Sequence, residues 1–181
     1  MIILSDRLVE LRIENKRLKE QIQDLENKLL SVVGMITLES SGGPNKKVII
    51  NEKILDLFHK TNDKLRIVTT RVGQFYANEL KKLASKGIDI LLITNERSRI
   101  PSQYIKIYDD LKLTNGIKII NHPNLKYLLM FNEKEAIYCG GALDKDELEN
   151  SILIVTTIKE SSKLRKIREI FNMMLPSFMR S

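Results

Sequence analysis

At 181 residues, 43% of them hydrophobic, the chain can bury one sizeable core and carry an extended element besides, but it is too short for two ordinary domains. Its formal charge of +7 permits weak binding to nucleic acid or an anionic surface without requiring either. One cysteine, Cys139, excludes an internal disulfide, two histidines leave metal catalysis short of ligands, and no apolar run approaches the ~20 residues that cross a bilayer. The start, Met1-Ile2-Ile3-Leu4-Ser5-Asp6, lacks the basic cluster and apolar block of a secretion signal, so a cytoplasmic protein with no metal, no cofactor and no membrane partner is expected.

From the N-terminus, Leu4, Leu8, Leu11, Asn15, Leu18, Ile22, Leu25, Leu29 and Val32 follow one another at alternating intervals of four and three, which is a heptad seam. Leu4, Leu11, Leu18, Leu25 and Val32 form its d layer, and Leu8, Asn15, Ile22 and Leu29 its a layer. Leucine at d supports two strands, and an asparagine at a pairs with its twin across a parallel dimer, so residues 4–33 predict a parallel coiled-coil homodimer locked in register by Asn15. Across the flanks Glu14 faces the partner's Lys19 position favourably, while Arg7 faces Arg12 unfavourably. The alternative is a single amphipathic helix packed on the chain's own domain, although more than four heptads exceed the usual ~11-residue globular helix. A basic-region transcription factor would carry an Arg/Lys-dense helix ahead of its zipper, and only Met1, Ile2 and Ile3 precede this seam, so dimerisation rather than a DNA fork is expected. Residues 1–38 therefore read as the dimerisation helix and 39–45, with Gly42, Gly43 and Pro44, as a linker to an α/β domain over 46–181.

In that domain apolar runs predict strands at 47–51, 65–72, 88–94, 117–121, 125–132, 136–140 and 152–158. Helical patterns fill 52–60, 74–86, 102–111 and 162–175. The order predicts a mixed β-sheet sandwiched by helices. Ala77, Leu80, Leu83 and Ala84 give one helix its apolar face, Gly87 stands at its C-terminal cap, and Cys139 lies in a strand as a buried, inert thiol. On the last helix Leu164, Ile167, Phe171 and Leu175 form an apolar stripe beside Lys159, Lys163, Arg165, Lys166 and Arg168. With Arg97 and Arg99 of the loop at 95–101, Lys163, Arg165 and Lys166 are candidate nucleic-acid contacts; the competing reading is the solvated basic face of a core-packed helix. His59 reads as a helix surface residue and His122 as a turn residue. The tail, with Met173, Met174, Phe178 and Met179, is apolar enough to dock on the partner subunit or on a third protein.

The stretch from Gly116-Ile117-Lys118 through Leu125-Lys126-Tyr127 and Asn132 to Gly140-Gly141-Ala142-Leu143 resembles the catalytic half of the phospholipase D superfamily, whose pattern is His-x-Lys-x-x-x-x-Asp, a hairpin, then Gly-Ser-x-Asn. In that family the histidine is the nucleophile and the lysine binds the phosphoryl oxygens. Aligned on the hydrophobic run, those positions fall on Leu125 and Tyr127, and the aspartate position on Asn132. Leucine is no nucleophile and neutral tyrosine supplies no fixed positive charge for a transferring phosphoryl group, so a degenerate, non-catalytic domain is implied. Lys126 points to the opposite face by strand alternation. Such domains, joined to a coiled coil, occur in archaeal transcriptional regulators of the TrmB group, and this chain is similar to the part of those proteins that follows their winged helix. The resemblance implies a dimeric regulator or interaction scaffold, with Leu125, Tyr127, Asn132, Gly140 and Gly141 lining a candidate cleft for a ligand or protein partner. For Gly140 and Gly141 a simple backbone bend is the competing reading. Two other functions compete: a nucleic-acid-binding protein using its basic surface, and an active phosphodiesterase or nuclease with an unrecognised nucleophile.

Overall fold

The computed structural model describes residues 2–40 and 49–180, which fall into two units, Met1–Met35 and Ile36–Ser181. The first is a single helix, α1 (Ile2–Val33), uninterrupted by glycine or proline before Gly34. Along it Leu11, Leu18, Ile22, Leu25 and Leu29 stand between 52% and 67% exposed. A row of large apolar side chains left in water at heptad spacing forgoes the free energy that burial would return, on the order of 1.5–3 kcal/mol each when fully buried.

The second unit is built on a seven-stranded sheet: β1 (Ile36–Ser40), β2 (Lys64–Val68), β3 (Asp89–Thr94), β4 (Ile117–Asn121), β5 (Tyr127–Phe131), β6 (Ala136–Gly140) and β7 (Ile154–Ile158), in the spatial order β1-β7-β6-β5-β2-β3-β4. β2, β3 and β4 run parallel, and β5, β6, β7 and β1 continue the sheet antiparallel. The helices are α2 (Ile49–Lys60), α3 (Gln74–Ser85), α4 (Ser102–Lys112), α5 (Lys145–Asn150) and α6 (Ser161–Met173). Strand alternation sends Ile67, Ile90, Leu92, Leu128 and Met130 to one face, where they pack with Ile54, Leu57, Tyr76, Leu80, Leu111 and Leu148 of α2 to α5. The opposite face buries Val68, Leu91, Ile93, Leu129 and Phe131 beneath Leu164 and Phe171 of α6 and Leu175 after it, with the Phe131 and Phe171 rings edge to face at 5.2 Å. Gly87, at φ 89°, closes α3 by donating its N–H to the Ala84 carbonyl at 3.0 Å, the cap expected from the sequence.

Several boundaries differ from the sequence reading. The helix expected to reach residue 38 ends at Val33, because Gly34 stops it and Ile36-Thr37-Leu38-Glu39-Ser40 then alternates apolar and polar as β1, paired with β7. Residues 36–40 therefore belong to the sheet and not to the dimerisation helix or the linker, of which 41–45 lie outside the described residues. Of the strand expected over 47–51, residues 47 and 48 also lie outside, and 49–51 open α2 instead, since Ile50, Ile54, Leu57 and Phe58 recur at helical spacing and are all buried. β5 begins at Tyr127 rather than 125, because Asn124 turns through φ 66° and the Leu125 N–H is donated to Asn95 Oδ1 at 2.8 Å. The short α5 was not expected; its signal is Asp144 with Glu147 three residues on, and Asp144 Oδ1 accepts the Glu147 N–H at 3.1 Å. No helix among the described residues is long and apolar enough to cross a membrane.

Candidate functional site

Because β5 runs antiparallel to β2, Tyr127 stands beside the C-terminal ends of β2 and β3, the edge at which open α/β sheets place their crevices. Leu125 is buried in the apolar layer under α6. The Tyr127 hydroxyl donates to Met174 Sδ at 3.7 Å, its ring lies 5.8 Å from that of Tyr138, and burial raises its phenol above the ordinary range, so it stays protonated and neutral. Lys126, between them, is exposed. Tyr127 pairs across the ladder with Gly140, and the chain turns at Gly141 with φ 88°.

This turn is fastened by residues that the sequence reading did not single out. Glu147 accepts the Ala142 N–H at 3.0 Å with one carboxylate oxygen and the Arg71 guanidinium with the other. The Leu143 N–H reaches Thr69 Oγ1 at 2.8 Å, and the Leu143 carbonyl accepts the Gly73 N–H at 2.8 Å. Arg71 lies over the Tyr104 ring, 4.9 Å from its centroid, and its Nε is buried without a hydrogen-bond partner. A Cβ at position 141 would come within 3.0 Å of Glu147 Oε1. The glycines thus make a bend that Arg71 and Glu147 hold shut. Their sequence signal is a charged residue just past a buried strand, matched by an acid in the first turn of a short helix.

Asn132 does not join this group. It sits five residues from Tyr127 along one extended strand, about 17 Å away at ~3.4 Å per residue. Its Oδ1 accepts the N–H groups of Lys134 at 2.8 Å and Glu135 at 2.9 Å, and its Nδ2 donates to the Leu57 carbonyl and Thr61 Oγ1, both at 3.3 Å. It is a brace for the β5–β6 hairpin, so the expectation that Leu125, Tyr127, Asn132, Gly140 and Gly141 line one cleft is corrected: Asn132 stands at one end of β5, Tyr127, Gly140 and Gly141 meet at the other, and Leu125 is buried in the core. At the Asn132 end, a groove of about 710 Å³ opens over Leu91, Phe131 and Phe171, with Arg66, Lys118 and Arg168 among its lining. Arg66 is paired there with Asp89 at 2.7 Å, and Arg168 donates to the Glu133 carbonyl at 2.9 Å.

No family model and no curated protein matches the chain by sequence. Solved structures do resemble it. NucT from Helicobacter pylori, 14% identical, covers 77% of this chain and 95% of its own with a TM-score of 0.66. Nuc from Salmonella typhimurium, a phospholipase D family member, is 11% identical and covers 77% of this chain and 92% of its own, TM-score 0.63. The fold is phospholipase D-like. TrmBL2, an archaeal chromatin protein whose structure shows a novel mode of DNA binding, is 10% identical, covers 90% of this chain and 64% of its own, TM-score 0.54.

On this phospholipase D-like frame the other candidate residues scatter. Arg97, in a 3₁₀ turn after β3, is held by Asp109 through two bonds at 2.8 and 2.7 Å, and Arg99 is exposed beside it. Lys163, Arg165 and Lys166 are exposed on α6, and Lys159 reaches the buried Glu135 at 3.6 Å. His122 turns its Nδ1 to the Pro123 carbonyl at 2.9 Å, and His59 is exposed on α2. Cys139 is fully buried and desolvation pushes its thiol up to about 12, so it is no thiolate nucleophile at neutral pH. Among the described residues no group of three His, Cys, Asp or Glu side chains is placed to hold a metal ion.

Proposed function

We propose that the chain is a non-catalytic, dimeric binding or regulatory module, in which α1 pairs with a second copy as a parallel coiled coil and the phospholipase D-like domain binds rather than cleaves. The observation that carries this reading is the occupation of the motif positions by packing groups. Leu125 is in the α6 core and the neutral Tyr127 is engaged with Met174, while the neighbouring cation, Arg71, is neutralised by Glu147. No group in that cluster combines the nucleophile and unpaired cation that phosphoryl transfer uses. Dimerisation is supported by the exposed seam of α1 with Asn15 in its middle. A role in transcription regulation or as an interaction scaffold follows from the similarity to TrmB-type regulators.

A second reading, nucleic-acid binding, is favoured by the likeness to TrmBL2, described by its DNA binding, by the charge of +7 and by the exposed Lys163, Arg165 and Lys166. Light scattering on the full chain and on a Leu18→Lys/Leu25→Lys variant tests the first reading, with duplex DNA titrated at rising salt to separate the second. The expected result is a mass twice the 20.9 kDa of one chain, halved in the variant, with DNA binding gone near physiological salt. A monomeric full chain would sink the coiled coil, and salt-resistant DNA binding would put the second reading first.

A further inference from the structure

On the α6 side of the sheet, strand register sets Phe131, Arg66, Leu91 and Lys118 in one row across β5, β2, β3 and β4. Phe131 and Leu91 are buried with Phe171 and Leu175, whereas Lys118, on the edge strand, is exposed. The row spans about 14 Å at ~4.8 Å per strand, and all four residues line the groove of about 710 Å³ at the Asn132 end. A second wall is the chain after α6. The 3₁₀ turn Ser177–Met179 places Met179 in the lining, and Arg180 fastens that turn by donating to the Leu175 carbonyl at 2.9 Å and the Met173 carbonyl at 3.2 Å. A concavity of this size, with an apolar floor and a few polar groups, is of the kind that holds small molecules.

The charges around this groove do not cancel. The Arg66 guanidinium is engaged by Asp89, giving Nη2 to the carboxylate at 2.7 Å and Nη1 to the carbonyl at 2.8 Å, and Lys64 stands 3.8 Å from Asp63. Glu133 is then set against two cations, Arg168 and Lys118. Arg168 gives one N–H to the Glu133 carbonyl, while Lys118 makes no hydrogen bond or ion pair with any described residue. One positive charge is left over at the end of an apolar floor. We infer that the groove binds a small carboxylate with an apolar body, the body lying over Leu91, Phe131 and Met179 and the head group meeting Lys118. A bare inorganic anion would leave the apolar floor unused, and an uncharged hydrocarbon would leave the cation without a partner. The inference gives a ligand class to the binding module proposed above and rests on that reading.

The test titrates the full chain with two fluorescent probes, anilinonaphthalene sulfonate, an aromatic monoanion, and phenylnaphthylamine, a similar body without the charge. Decanoate, naphthoate and inorganic phosphate then compete for the sulfonate probe. Displacement by either carboxylate and not by phosphate is expected, the stronger competitor telling an acyl body from an aryl one. Lys118→Gln should weaken the sulfonate probe about fivefold, the effect of one solvent-accessible ion pair, and leave the neutral probe unchanged. Met179→Ala should weaken both probes. Leu38→Glu, on an exposed apolar strand far along the sheet at β1, should change neither. Displacement by phosphate alone would overturn the inference, as would sulfonate binding that falls in Leu38→Glu and not in Lys118→Gln. Equal loss of both probes in Lys118→Gln would overturn it too, since the charge would then recognise nothing. Dimer mass and phosphodiester hydrolysis, which test the underlying reading, do not involve Lys118 and are expected to be the same in Lys118→Gln, so failure of either reading is seen separately.

Discussion

Replacing Asn132 by alanine should cost the α/β domain about 2–4 kcal/mol of stability, and the figure can be built from its bonds. The side chain is 3% exposed. Alanine removes the acceptor of two backbone N–H groups, Lys134 at 2.8 Å and Glu135 at 2.9 Å. Lys134, at an exposed hairpin tip, can turn to water, but Glu135 is only 6% exposed and its N–H would be left without a partner, a penalty of roughly 1–3 kcal/mol. Loss of the second bond adds about 1 kcal/mol. The two 3.3 Å donations matter less, because the Leu57 carbonyl keeps the Thr61 hydroxyl at 2.8 Å. Urea unfolding followed by circular dichroism reads the change as a fall in midpoint at constant slope. A change below about 0.5 kcal/mol, the usual size for a surface position, would refute the brace and return Asn132 to the list of ligand-binding groups.

Gly141→Ala should destabilise by about 1–2 kcal/mol, because a left-handed backbone at φ 88° receives a side chain and the new Cβ presses on Glu147; thermal unfolding reads it, and an unchanged Tm would contradict the latch. The Cys139 thiol, at about 12 in the fold against an ordinary 9.0, ionises first in the unfolded chain, so its contribution is fully present below pH 9 and is lost as pH rises from there towards 12. Comparing the pH dependence of urea midpoints for the natural chain and Cys139→Ala checks this, and identical slopes above pH 9 would refute it. Asn15→Ile should raise the melting temperature of α1 pairing while broadening the mass distribution in light scattering, since the register lock is gone; a single sharp dimer would argue against that role.

What the sequence disclosed and what it hid follow a physical division. The parallel strand β3 and the helices α3 and α4 are legible because burial of β3 on both sheet faces writes a continuous apolar run, and the helices carry 3.6-residue apolar stripes, into local sequence. β1 was hidden because it is short and half exposed, and because its Ile36 and Leu38 follow a leucine-rich helix and extend its composition. The opening of α2 was misread since Val48, Ile49 and Ile50 look like a strand until Ile54, Leu57 and Phe58 are placed with them. At the candidate site, Leu125 and Tyr127 could be named from spacing, but whether Asn132 stands with them depends on strand length. Arg71 and Glu147 each leave a local signal, but they stand 76 residues apart, and only the topology brings the two together.

The most direct measurement is hydrolysis of a chromogenic phosphodiester, bis(p-nitrophenyl) phosphate, by the purified full chain between pH 5 and 9. The expected result is no release of nitrophenol above the buffer rate, and no change in a Tyr127→Phe variant. Turnover above background that falls in a variant of the Leu125–Tyr127–Arg71 cluster would contradict the non-catalytic reading and make this domain an enzyme.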